Sequence, residues 1–72
     1  MSVNEQWWKD HGKAVKARLT RAEGNVTTQP QWALGEAEKV LELMDLYGYP
    51  DWWSRAERLR TDATFQVGLD RW

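Results

Sequence analysis

The chain has no cysteine, two prolines, one histidine and one phenylalanine among its 72 residues. Without cysteine, neither a disulfide framework nor a thiol nucleophile is available. Structural zinc wants four cysteine or histidine ligands, and His11 is the only candidate, so no metal site is expected. The longest apolar-rich stretch, Val40 to Tyr49, is interrupted by Glu42 and Asp45 and falls far short of the ~20 residues that cross a bilayer. The first ten residues carry neither the basic nor the apolar region of a secretory signal, and a cytoplasmic protein is the expectation. An excess of one charge is lacking too: ten Lys and Arg stand against eleven Asp and Glu, a formal net charge of −1. No serine lies in a Gly-x-Ser-x-Gly turn, and no glycine-rich loop is present to cradle phosphate. Catalytic residues and cofactors are therefore not expected, and the chain reads as non-enzymatic.

What the chain has in abundance is tryptophan, six in all. A domain this short buries only about 60% of its unfolded surface, and small scaffolds usually need a staple. Dense aromatic packing is one remedy, since a buried Trp removes roughly 150–250 Å² from water. Association with a second chain is another.

Two breaks divide the chain: Gly24-Asn25-Val26-Thr27-Thr28-Gln29-Pro30 and Gly48-Tyr49-Pro50-Asp51. They leave three segments of helical periodicity and predict an all-α fold, a compact three-helix arrangement with helices near 4–23, 29–47 and 51–69. In the first segment Trp7, Trp8, His11, Val15, Leu19 and Ala22 share one arc with Gly12 at its edge, and Lys9, Lys13 and Lys16 form a separate basic face. In the second, Thr28 and Gln31 are spaced as a capping box. Ala33, Leu34, Ala37, Val40, Leu41, Met44 and Tyr47 share its arc, Glu38, Glu42 and Asp45 form an acidic stripe, and Gly48 sits where a helix-ending glycine belongs. So much apolar surface suits the middle of the fold or an interface. In the third, Asp51 is placed as N-cap before a stripe of Trp52, Trp53, Ala56, Leu59, Ala63 and Val67. Its tail has a second reading, because Ala63, Phe65, Val67 and Leu69 alternate with Thr64, Gln66 and Gly68 in strand fashion.

Two surfaces qualify as candidate binding sites. Trp32, Leu43, Leu46, Phe65, Leu69 and Trp72 lie off the main arcs, and together make a second apolar surface. Such a surface is either an association site or is closed over the tail within one chain. A two-fold homodimer is the expected use, weakened by Leu46→Asp and by Trp72→Ala. The alternative is nucleic-acid binding through the basic faces, Lys9, Lys13 and Lys16 with Arg55 and Arg58. Against it, the lysine stripe and the acidic stripe share the spacing i, i+4, i+7, so antiparallel helices would pair them with each other. His11, beside Trp7 and Trp8, reads as a core or boundary histidine.

The segment Gly48-Tyr49-Pro50-Asp51-Trp52-Trp53, continued by Arg55 to Arg60 and by Asp62-Ala63, resembles a stretch in small uncharacterised proteins of actinobacterial phages. The resemblance covers about a quarter of the chain. It implies a short phage-encoded protein, a class that often works by binding a protein or DNA.

Overall fold

The computed structural model describes residues 3–70 and contains three helices, α1 (Glu5–Gly24), α2 (Pro30–Tyr47) and α3 (Trp53–Asp70). The expected all-α, three-helix arrangement is what the chain adopts. Residues 63–69 are helical, so the strand reading of the tail is overturned. Only successive i, i+4 bonds can satisfy this backbone, because no strand exists among the described residues to pair with it.

Local chemistry starts and stops the helices, though not always at the expected residue. Asn4 caps α1, its side-chain oxygen accepting from the Trp7 amide at 3.0 Å. At the other end Asn25 donates its side-chain amide to the Arg21 carbonyl at 2.8 Å. The capping box expected at Thr28 and Gln31 does not form. Residues 25–28 coil into a tight turn in which the Gln29 amide reaches the Asn25 carbonyl at 2.7 Å, and Thr28 turns back towards Asn25 instead of forward. Gln29 occupies the cap position with no side-chain bond, and Pro30, which has no amide to satisfy, opens α2. Asp51 is not the cap of α3 either. Residues 51 and 52 make a turn, the Trp53 amide bonds the Pro50 carbonyl at 2.9 Å, and the helix begins two residues later than expected.

Helix α2 packs against both neighbours and is the middle of the fold. Its end meets the start of α1, where the Asn4 amide donates to the Tyr47 carbonyl at 2.8 Å, so α1 and α2 are antiparallel. Helix α3 returns along α2 and meets α1 over a shorter stretch. Contacts between α1 and α3 step from Trp8–Trp52 to Arg55 with Thr20 and Glu23, near the end of α1. The second half of α3 therefore runs past α1, and the molecule is long and flat, 43 × 21 × 15 Å.

The core comprises Trp8, Val15, Leu19 and Ala22 of α1, Ala33, Ala37, Val40, Leu41 and Met44 of α2, and Ala56, Leu59 and Ala63 of α3. Five of these are alanines with no solvent contact, which lets the helix backbones approach closely but fills little volume. The expected arcs are thus correct at their centres and overextended at their edges. His11 is exposed rather than core, and Trp53 is largely exposed while Trp52 is half-buried.

Candidate interaction surfaces

Each pair of helices meets along a seam, and the three seams differ in chemistry. Along the α1–α2 seam, Trp7 lies flat on Tyr47, with ring centres 3.9 Å apart and planes within 8°. His11 covers Trp7 from the next turn, centre to centre 4.5 Å. Further along, Arg18 pairs with Glu36 at 2.6 Å, and the Arg21 guanidinium stands over the Trp32 ring at 5.9 Å. Trp32 therefore belongs to this seam, partly sheltered by an arginine. Leu43 is half-buried against the core.

The α1–α3 seam gathers positive charge. Lys16 stands 5.2 Å above the Trp52 ring, and Arg55 donates to Thr20 at 3.0 Å and to Glu23 at 2.7 Å. The Glu23 hydrogen bond holds the Arg55 guanidinium above its ordinary pKa. Lys9 and Lys13 continue the Lys16–Thr20 stripe along α1, and both are exposed, as is Arg58 one turn beyond Arg55. The pairing expected between this stripe and Glu38, Glu42 and Asp45 does not form. The ion pairs among the described residues are Arg18–Glu36, Arg55–Glu23 and Arg60–Glu57. Rotation about the helix axes is the reason. Packing against α2 uses the flank of α1 that carries Trp7, Arg18 and Arg21, and the lysines on the other flank turn towards α3.

The acidic stripe consequently lies on the opposite edge of α2. There Asp45 accepts a hydrogen bond from the Tyr49 hydroxyl, and Tyr49 meets Trp53 edge to face. That bond stabilises the protonated phenol and raises the Tyr49 pKa above its ordinary value.

Of the six residues expected to form one apolar surface, the structure brings together only some. Phe65 and Leu69 share the outer face of α3 one turn apart, 65% and 50% exposed. Leu46 is 69% exposed on the outer face of α2, and Trp32 and Leu43 are on the α1–α2 seam. Trp72 lies outside the described residues. Trp53 is the rim member of its pair, as adjacent tryptophans about 100° apart on a helix require of one of them, and Tyr49, which lies in the break between helices, is also exposed.

Near the start of α1 lies a shallow cleft of about 210 Å³ lined by Val3, Glu5, Trp8, Pro50 and Asp51. Small-molecule pockets typically run from about 300 to 1,000 Å³ and enclose their ligand. No group of three or more metal-ligating side chains converges among the described residues, and none of their helices is long and apolar enough to cross a membrane. Comparison with protein families, with characterised proteins and with solved structures finds no match to this chain.

Proposed function

We propose that this chain is a small non-enzymatic interaction module of the cytoplasm whose partner is a second copy of itself, docked through the outer face of α3. The observation that carries the reading is the Phe65–Leu69 pair, two large apolar side chains one turn apart on the half of α3 that runs past α1. Covering a Phe or Leu fully is worth about 1.5–3 kcal/mol, a large gain for a domain with so small a core. A patch on one helix face pairs most simply with itself about a two-fold axis. The resemblance of Gly48–Ala63 to segments of phage proteins is in keeping with an accessory role of this kind.

Sedimentation equilibrium tests the proposal. The expected result is twice the chain mass of 8.5 kDa for the native protein and the chain mass for Phe65→Asp, which sets a charge in a desolvated contact. A native protein of monomer mass, with a melting temperature independent of concentration, contradicts it.

A further inference from the structure

We propose that the α1–α3 seam is a polyanion site that takes the phosphodiester backbone of nucleic acid, independently of the apolar face of α3. The inference begins with the failed pairing. Lys9, Lys13 and Lys16 have a matching acidic stripe in Glu38, Glu42 and Asp45, yet the fold turns the two stripes to different edges. The lysines are left exposed and join Arg55 and Arg58, a second basic set contributed by α3. Lys16 and Arg55 stand at the seam itself, Lys9 and Lys13 extend the Lys16 stripe along α1, and Arg58 follows Arg55 on α3, although the chain as a whole carries a net charge of −1. Of the nearby carboxylates, Glu23 is held by Arg55 and Glu57 by Arg60, while Glu5 lies one turn before Lys9 and Asp62 one turn beyond Arg58.

Geometry favours a linear anion over a compact one. Lys9, Lys13 and Lys16 span seven residues of helix, about 10 Å at 1.5 Å per residue, so they meet successive charges along a strand rather than converging on one phosphate. Thr20 and Glu23 both accept from Arg55, which ties α3 to the last turns of α1 at this seam. Trp52 forms an aromatic floor beneath Lys16, a combination of basic groove and indole that suits nucleic acid. The acids of α2 stand on the far edge, so the molecule presents its positive side to a polyanion and its negative side to solvent.

The test is binding of a short mixed-sequence DNA duplex, and separately of its single strand, followed by fluorescence anisotropy across a salt series. Four exposed cations, Lys9, Lys13, Lys16 and Arg58, predict a log–log salt slope of roughly −3.5 on duplex. That slope is a loss of about 100-fold in affinity between about 50 and 200 mM salt. The Lys9→Gln/Lys13→Gln variant alters exposed positions only and should keep its helical content, while the slope flattens by about two. A duplex preference assigns the contact to the backbone of a helix; a preference for the single strand adds stacking on Trp52, and either supports the site. No binding of either probe at about 50 mM salt overturns it, as does a slope unchanged by the lysine variant. So does loss of dimer mass in that variant without nucleic-acid binding, which would make the occupant the acidic stripe of a second copy. Phe65→Asp should bind each probe through the same seam, so failure of the dimer and failure of this site remain separable.

Discussion

The two ends of this molecule are built from different materials. At one end α1 begins, α2 finishes and the chain turns into α3, and Trp7, Trp8, Tyr47 and Trp52 pack ring to ring, with Tyr49 and Trp53 as a separate edge-to-face pair. Further along α2 and α3 the buried residues include Ala33, Ala37 and Ala63, with no solvent contact, while Phe65 and Leu69 are exposed. Aromatic rings cover a turn with few residues, whereas alanines bring backbones close and leave nothing to reach over the edge. The difference explains how one chain can be stapled without cysteine and still leave apolar side chains exposed.

The aromatic end also solves a backbone problem. The last carbonyls of α2 have no intrahelical donors. The Trp8 indole N–H donates to the Tyr47 and Gly48 carbonyls at 3.3 and 3.1 Å, and the Asn4 amide is a second donor, to Tyr47. Gly48 itself sits at φ 92°, a conformation that side chains resist, and this frees the chain to leave the helix under Trp8.

Breaking the comparison at its stronger end should have the largest effect. Trp8→Ala removes a core side chain and the tertiary cap together, and truncations of buried Trp cost about 3–5 kcal/mol. A domain of this length is stable by roughly 4–10 kcal/mol, so the variant should lose a large share of its stability and melt far below the native protein by circular dichroism. Trp8→Phe, which keeps the packing and loses the donor, should fold with a lowered melting temperature. At the alanine-lined end, Ala63→Leu inserts three carbons where the helices touch, and a smaller loss of about 1–3 kcal/mol is expected in denaturant melts.

The smallest effect concerns pH. The hydrogen bond from Tyr49 to Asp45 favours the neutral phenol in the folded state and raises its pKa. Its contribution is present in full below the ordinary tyrosine value of about 10 and is lost as pH rises through the raised folded-state value. Thermal melts above pH ~10 should therefore fall more steeply for the native protein than for Tyr49→Phe, by a slight margin because the group is exposed.

Much of this was legible in the residues themselves. Periodicity placed Val15, Leu19, Val40, Met44, Ala56 and Leu59 in the core because the centre of an apolar arc faces inwards whatever the neighbour. Edges of arcs are decided by tertiary rotation, which a helical wheel does not contain. His11, read as a core or boundary residue, accordingly comes out exposed, and the matching lysine and acidic stripes, expected to meet, are turned apart by packing. The link from Trp8 to Gly48 spans 40 positions and leaves no periodic trace. Among candidate surface residues, Phe65 and Leu69 could be paired by their i, i+4 spacing, but the contact of Arg55 with Glu23, between helices 32 positions apart in sequence, leaves no periodic trace.

Amide hydrogen exchange at two protein concentrations tests the account most directly. The amides of Trp8 to Leu19 and of Val40 to Tyr47 should exchange slowly and at the same rate at both concentrations, because the aromatic end is closed within one chain. Amides of residues 64–69 should exchange quickly in dilute solution and become protected when concentrated, as a second copy covers the outer face of α3. Protection of residues 64–69 equal to that of the aromatic end, and unchanged by dilution, would contradict both the contrast between the ends and the association built on it.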